Sequence, residues 1–285
     1  MLFKDIESLR FGYESNLLRI IAAQLGPEFP RMGNDKAKHL LDARRKALLG
    51  DAVRVTADLL PDVHEAYCSC LDILGGGLKG ELFVQQSKEY NANVFAHGKK
   101  FDVLIHSALL NDFNREELRF VFGHELGHVA FEHSRFSVHD ILSETQGISP
   151  DTANLLFRWS RASEVSADRV GLLCCGKLTT AVTALFKTAS GLSDIDMDRI
   201  LRSFRRQYED LEIQIREVSS DLSWVRTHPM MPIRFKALEL AALDIVALRG
   251  QSGSFSWKGF RAIDRQIADI LEAIDATVGC WMLDV

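Results

Sequence analysis

The spacing of apolar residues divides the chain into helical and extended stretches. From about residue 2 to residue 74, apolar positions such as Leu17, Ile21 and Leu25 recur every third or fourth residue. This spacing is typical of amphipathic helices, and Gly26-Pro27 interrupts it. The pattern therefore predicts a helical lead-in of about three segments.

The spacing changes after the glycine-rich stretch at residues 75–80. Short segments of alternating apolar and polar residues follow, and this alternation indicates strands. The tetrapeptide His97-Gly98-Lys99-Lys100 between the second and third segments predicts a hairpin turn. We predict a small antiparallel sheet with strands near Glu81–Gln85, Asn91–Ala96 and Phe101–His106.

Helical spacing returns after these strands and continues almost to the end of the chain. The strongest helical stretch runs from Arg115 to His133, with Asn114 as a predicted N-cap. Glu116 and Glu117 lie in its first turn, where the helix dipole favours negative charge. Further helices are predicted at about 151–175, 178–190, 195–218 and 232–248 and, after a turn at Gly250 to Ser254, from Trp257 to Ala276.

These elements predict an α+β fold that is predominantly α-helical, with the small antiparallel sheet beside the helix that begins at Arg115. We predict three parts along the chain. Residues 1–74 form an N-terminal helical segment, residues 75–249 a central domain, and residues 250–285 a C-terminal helix and tail.

Charge is spread evenly along the chain. The formal net charge of −5 arises from 34 basic and 39 acidic residues without a long run of either sign. The strongest basic cluster, Arg202, Arg205 and Arg206, is short and has acidic residues close behind it. It is typical of a solvated helix face, so no nucleic-acid partner is predicted.

Export and membrane insertion are disfavoured. The N-terminus lacks a basic start followed by an apolar run, and no stretch approaches the roughly 18 uncharged apolar residues of a membrane span. The five cysteines are an odd number without repeated spacing, which indicates reduced thiols. A cytoplasmic location is therefore predicted.

The helix after Asn114 carries the motif His124-Glu125-Leu126-Gly127-His128. Histidines four residues apart lie on one helical face, so both rings can reach one metal ion. The glutamate between them lies beside that ion, where it can take a proton from an attacking water and pass it to the leaving amine. The motif predicts a zinc-dependent hydrolase.

His133 follows the motif by five residues. We interpret it as a residue at the end of the helix, turned away from the metal face and favourable to the helix dipole.

Zinc in hydrolases usually has three protein ligands, so a third must come from another element. Glu164 is the best candidate because it lies on a predicted helix with Asp168 one turn later on the same face. Asp168 would accept the remaining N–H of one liganding histidine and fix its orientation. Without the preceding histidine motif, a carboxylate pair with this spacing would be read as part of a solvent-exposed helix face.

His228 is followed directly by Pro229 and, three residues later, by Pro232, which indicates a fixed turn before a helix. It is a candidate donor to the oxyanion that forms during peptide hydrolysis, with Arg234 behind it or alongside. The alternative is that His228 is only part of a structural turn.

Taken in order, these motifs resemble the M48 family of zinc metallopeptidases, which includes the HtpX type. The resemblance covers roughly residues 60 to 240 and rests on the metal-binding helix extended to His133, on Glu164-x-x-Ala167-Asp168, and on His228-Pro-x-x-x-x-Arg234. Many members of the family are integral membrane proteins. The chain has no predicted span, so the resemblance is closest to soluble members.

The resemblance implies a gluzincin-type catalytic domain with one zinc ion per chain. It implies that His124, His128 and Glu164 bind the metal and that Glu125 is the general base. The segment 91–96 resembles the family strand at the rim of the cleft, with Val94 as an insertion that leaves the register open by one residue. The implied substrate-binding residues are Asn91, Ala92, Asn93, Val94, Phe95 and Ala96.

We therefore predict a metalloendopeptidase that acts on peptide or protein substrates. The alternative from another class is a latent or inactive zinc-binding scaffold, or a chaperone-like protein, with the same fold. A further hypothesis is that the N- or C-terminal helices keep the enzyme latent.

Overall fold

The computed structural model describes residues 6–26, 34–97, 100–136, 138–145, 147–217, 228–250 and 257–279. The fold is mostly helical with one small sheet, as predicted. The helices in these ranges are α1 (Gly12–Leu25), α2 (Asn34–Asp51), α3 (Pro61–Ile73), α4 (Ser107–Asp112), α5 (Arg115–Ala130), α6 (Val138–Glu144), α7 (Pro150–Cys175), α8 (Leu178–Ser190), α9 (Met197–Glu217), α10 (Met231–Gly250) and α11 (Trp257–Gly279). The strands are β1 (Val53–Arg54), β2 (Lys79–Gln85), β3 (Ala92–His97) and β4 (Lys100–His106). Two 3₁₀ turns cover Ile6–Leu9 and His133–Phe136.

The predicted helices after residue 150 agree with α7 to α11 to within a few residues. Their apolar spacing is regular, and capping residues mark ends such as those of α7. At the start of α7, Ser149 Oγ accepts a hydrogen bond from Thr152 N at 3.1 Å, and Pro150 follows the cap. Gly176, at φ +75°, ends this helix in a left-handed conformation. The predicted turn between Gly250 and Ser254 lies largely outside the described residues.

The sheet is mixed rather than purely antiparallel. Its strand order is β1-β2-β4-β3, with β2 and β4 parallel and the other two neighbouring pairs antiparallel. Residues 86–91 connect β2 to β3, and these two strands are not neighbours in the sheet. Strand β4 lies between them and runs parallel to β2. The predicted hairpin joins β3 to β4 at the expected place, with Gly98 and Lys99 outside the described residues.

The two faces of this sheet pack against different helices. Val103 and Ile105 of β4 are fully buried in the main core, which includes Leu126 of α5. Leu104, on the opposite face, packs with Leu48 of α2. This alternation follows from the two-residue period of a strand. It fixes which side of the sheet looks towards α5.

The prediction that Asn114 caps α5 is confirmed. Its Oδ1 accepts hydrogen bonds from the backbone N–H groups of Glu116 and Glu117 at 3.0 Å each, and Glu117 Oε2 accepts the N–H of Asn114 at 2.9 Å. The helix ends at Ala130 rather than at His133, because Glu132 adopts φ +56°. A left-handed residue cannot continue a right-handed helix, so the chain changes direction there.

The C-terminal helix α11 is anchored by a buried arginine. Arg169 of α7 is 1% exposed, and its Nη2 donates to Asp264 Oδ1 at 2.5 Å. The guanidinium lies 4.3 Å from the ring centroid of Phe260, also on α11, while Asp264 Oδ2 accepts the N–H of Gly12 at 2.8 Å. The described part of α11 therefore buries its apolar side against the body of the protein.

Hydrophobic clusters cross the predicted domain boundaries. The larger cluster joins Leu9 and Tyr67 with Leu173 of α7, and a second joins Leu17 of α1 with Ile267 of α11. The boundaries after residues 74 and 249 stay predictions. Among the described residues, none of the helices is both long and apolar enough to cross a lipid bilayer.

Candidate metal centre

Helices α5 and α7 approach each other closely because small residues line their contact. A Cβ atom on Gly127 would lie 2.9 Å from the Cα of Ala167, and one on Gly123 would lie 2.9 Å from the Cα of Gly171. Side chains at either glycine would therefore push the backbones apart. Their absence brings the histidines of α5 within reach of the carboxylates of α7.

The three predicted metal ligands meet at this contact. His124 Nε2 and His128 Nε2 are 3.2 Å apart. Glu164 places Oε2 3.5 Å from His124 Nε2 and Oε1 3.3 Å from His128 Nε2. Among the described residues, these three side chains form a group of ligand atoms close enough to hold one metal ion.

The spacing of these atoms fits zinc. Bonds of about 2.0–2.1 Å at tetrahedral angles place neighbouring ligand atoms roughly 3.3 Å apart. The two histidine nitrogens are 3.2 Å apart, and each lies 3.3–3.5 Å from a different oxygen of Glu164, so all three separations lie around this value. In addition, Glu164 Oε2 is buried and accepts no hydrogen bond from the described residues. A buried carboxylate oxygen without a donor is satisfied when it binds a cation.

The carboxylate of Asp168 holds His124 from the side opposite the ligand group. Its Oδ1 lies 2.9 Å from His124 Nδ1, which leaves Nε2 directed at the candidate metal position. Arg234 Nε donates to Asp168 Oδ2 at 2.8 Å, and Arg234 Nη2 donates to Oδ1 at 2.5 Å. Burial by itself would raise the pKa of Asp168, but the charge and hydrogen bonds of Arg234, followed by those of His124, lower it below its ordinary value.

The ligand group has an unusual charge balance. Burial opposes ionisation of Glu164, but the nearby His128 and His124 outweigh it and hold the pKa of Glu164 well below its usual range. Burial likewise disfavours the charged form of His128, yet Glu164 first and then Glu125 raise its pKa. The centre therefore stabilises an ionised carboxylate and a positive charge beside it.

The structure places the candidate catalytic residues around this group with different exposures. Glu125 is 8% exposed on α5, beside the ligand histidines. His228 is 64% exposed, with Nε2 3.7 Å from Glu164 Oε2, so it lies at the mouth of the site. Arg234 is buried, and its Nη2 lies 3.9 Å from Glu164 Oε2. Its direct partner is Asp168, a contact that the sequence did not indicate.

His133 was expected to end the helix and to turn away from the metal face; the helix ends before it, and its ring contacts His128 on the side away from the ligand group. Its Nδ1 lies 2.8 Å from Nδ1 of His128. The helix ends before this residue, so the 3.6-residue period no longer applies at His133, and the turn at Glu132 brings the ring back. Helical periodicity could not reveal this contact, because Glu132 is not a residue type that commonly marks a left-handed turn.

Strand β3 lies beside α5 and has an open edge. In the described residues, β4 is its one strand neighbour. The N–H of His106 donates to the carbonyl of Asn91 at 3.0 Å, and hydrogen-bonded pairs alternate along an antiparallel ladder. Asn93 and Phe95 therefore direct their backbone groups at β4.

The remaining residues of β3 direct their backbone N–H and C=O groups at the open edge. These residues are Ala92, Val94 and Ala96, whose side chains pack on the main core beside α5. Phe95 points to the other face, where the guanidinium of Arg44 lies 4.8 Å from its ring centroid. The register that the sequence left open is thus defined by the pairing of Val94 with Val103.

Comparison with known proteins identifies the family of this chain. The family model described as peptidase family M48 matches residues 61–149 and 141–242, which together span more than half of the chain. A curated relative, the plastoglobule-localized metallopeptidase 48 of Arabidopsis thaliana, a chloroplastic protein, is 25% identical over 262 residues, which cover 84% of this chain and 74% of the relative. The location of that relative does not bear on the cytoplasmic prediction. The matched region contains both ligand helices and the segment from His228 to Arg234, and the chain belongs to peptidase family M48.

Proposed function

We propose that this protein is a metalloendopeptidase that uses one zinc ion held by His124, His128 and Glu164. The observation that carries the proposal is the spacing of the three ligand atoms, together with the buried oxygen of Glu164 that lacks a donor. Two imidazoles and one carboxylate are a ligand set that suits zinc, and three protein ligands leave a position for substrate or water. When bound, zinc supplies Lewis-acid chemistry that polarises the peptide carbonyl and strengthens water as a nucleophile.

Glu125 is the proposed general base. It lies between the two ligand histidines on α5 and is largely shielded from solvent. Its carboxylate takes the proton from the attacking water, holds it, and delivers it to the nitrogen of the leaving amine. A carboxylate at this position performs both transfers without moving the helix.

Asp168 and Arg234 orient the centre rather than touch the substrate. Asp168 accepts the Nδ1 proton of His124, so the lone pair of Nε2 faces the metal position. The two hydrogen bonds from Arg234 fix the carboxylate of Asp168. His228, which is exposed at the mouth, is the proposed donor to the oxyanion of the tetrahedral intermediate.

Substrate is proposed to pair with the open edge of β3 in an extended conformation. The outward N–H and C=O groups of Ala92 and Val94 and the outward N–H of Ala96 offer main-chain hydrogen bonds that a peptide of any sequence can form, whereas the carbonyl of Ala96 accepts from the hydroxyl of Ser134 at 3.5 Å. Asn91, Asn93 and Phe95, the other predicted residues of this segment, support the edge through their bonds to β4. A chain bound along a strand edge can extend in both directions, as an endopeptidase requires.

The proposal is tested by incubating the purified full-length protein with an unfolded protein substrate, with and without a zinc chelator. We expect cleavage within the substrate that the chelator abolishes and that added zinc restores. Glu125→Gln serves as the inactive control prepared in parallel. Zinc bound at one ion per chain without any cleavage would instead support the scaffold or chaperone-like alternative.

A further inference from the structure

The second ligand histidine has an outer support that reaches the N-terminal helix. His128 directs Nε2 at Glu164, so Nδ1 points away from the metal position and lies 2.8 Å from Nδ1 of His133. On its other side, His133 Nε2 lies 3.1 Å from Oε1 of Glu14. His133 is 6% exposed and Glu14 is fully buried, so these contacts are shielded from water.

The hydrogen-bond roles along this chain follow from the metal position. A histidine that binds a metal through Nε2 keeps its proton on Nδ1, so His128 donates to His133. His133 Nδ1 must then accept, which leaves the proton of His133 on Nε2. That proton is donated to the carboxylate of Glu14, which in its ionised form acts only as an acceptor. Each donor in the series thus meets one acceptor.

Glu14 is itself held by several donors. Arg10 Nη1 donates to Glu14 Oε1 at 2.7 Å, and the hydroxyl of Ser166 donates to Oε2. The same hydroxyl accepts the N–H of Phe11 at 2.9 Å, which ties the start of α1 to α7. Because these partners come from two elements, the carboxylate has a fixed position relative to His133.

We propose that Glu14 and His133 are positioning residues for the metal ligand His128. The proposal rests on the assignment of His128 as a ligand. In this arrangement the two ligand histidines are supported differently: His124 by Asp168 directly, and His128 by a carboxylate acting through a second imidazole. Glu14 lies outside residues 61–242, the part of the chain that the family model matches. Helix α1 is therefore a component of the metal centre and not a separate lead-in.

The test compares zinc binding by full-length variants. His133→Phe removes the acceptor for His128 and fills the space with a ring that can pack on Trp159 and Phe131, while Glu14 keeps Arg10 and Ser166. Competition with a chromophoric chelator should show zinc affinity reduced by about 10–100-fold, the usual cost of losing an outer partner. The matched control is His139→Phe, at an exposed position of α6, which should bind zinc as the wild type does.

Two changes at Glu14 separate positioning from a purely structural role. Glu14→Gln retains an oxygen that can accept from His133 and turns its amide towards Ser166, so zinc affinity should stay within a few-fold of wild type. Glu14→Met removes the acceptor and should reproduce the loss of His133→Phe. Thermal unfolding of the metal-free proteins checks that each variant is folded.

The double variant Glu14→Met, His133→Phe gives the decisive comparison. Residues in one chain of contacts are not additive, so the double variant should bind zinc about as well as His133→Phe alone. Additive losses, or wild-type affinity in folded His133→Phe, would overturn the proposal while leaving the metal centre intact. Failure of the wild-type protein itself to bind zinc would instead refute the proposed function.

Discussion

The two sides of the proposed active site are built in opposite ways. On the metal side, Glu164 and Asp168 are 5% and 1% exposed, and α5 and α7 touch through glycines. On the substrate side, the side chain of His228 is 64% exposed, and β3 has an edge without a strand neighbour among the described residues. Both sides lie within one small region of the same fold.

This difference corresponds to two physical requirements. A metal ligand must be held at one distance, so its outer atoms are bound by Asp168, Arg234 and other buried partners. A substrate strand must enter and leave, so the groups that contact it remain accessible. Changes on the metal side should therefore remove the metal or stop the reaction, whereas changes at the edge should mainly weaken substrate binding.

The largest effect is expected from Glu164→Ala. Only two protein ligands remain, so zinc should be lost together with activity, as elemental analysis and substrate cleavage would show. Glu116→Ala, which changes a half-buried glutamate in the first turn of α5, is the control and should retain both. Full zinc occupancy in Glu164→Ala would mean that the third ligand lies elsewhere.

Glu125→Gln should separate chemistry from metal binding on the same helix. The side chain keeps its shape but loses its basicity, so zinc should remain at one ion per chain while turnover falls by about 10⁴-fold. Elemental analysis and a peptide-cleavage assay measure the two quantities. Turnover within tenfold of wild type would exclude Glu125 as the base, and Glu116→Gln provides the matched control.

A smaller loss is expected from His228→Phe, at the exposed side of the centre. Removing one oxyanion donor typically lowers kcat by about 10²–10³-fold, and neither zinc content nor KM should change much. His106→Phe, which alters a histidine at the end of β4, should leave kcat unchanged. If His228→Phe strips the zinc, His228 is a ligand. If it alters neither zinc nor rate, His228 belongs only to a structural turn.

The smallest effect is expected at the open edge of β3. Val94→Pro removes one outward N–H without taking a hydrogen bond from β4, since proline is tolerated at strand edges. The loss of one hydrogen bond of about 1 kcal/mol should raise KM several-fold with kcat little changed. Steady-state kinetics on a peptide measure both constants. A change confined to kcat would contradict pairing of the substrate with this edge.

Local sequence determined where the helices lie and which helix carries the candidate metal-binding histidines. Regular apolar spacing and explicit caps, such as Asn114 for α5, act over a few residues and need no tertiary partner. The same is true of the motif from His124 to His128, because one turn of helix places both rings on one face. The pairing with Glu164 could be proposed from its helical spacing with Asp168 and from the resemblance to a known family, but its distances depend on the contact of α5 with α7.

Contacts between distant parts of the chain were decided by tertiary structure alone. The parallel pairing of β2 with β4 depends on the path of the connection between them, which alternation within strands does not encode. The bond between Arg234 and Asp168 joins residues 66 positions apart, and that between His133 and Glu14 joins residues 119 positions apart. Sequence periodicity describes one element at a time. The partner of a buried charge depends on which elements pack together, and only the folded chain defines that.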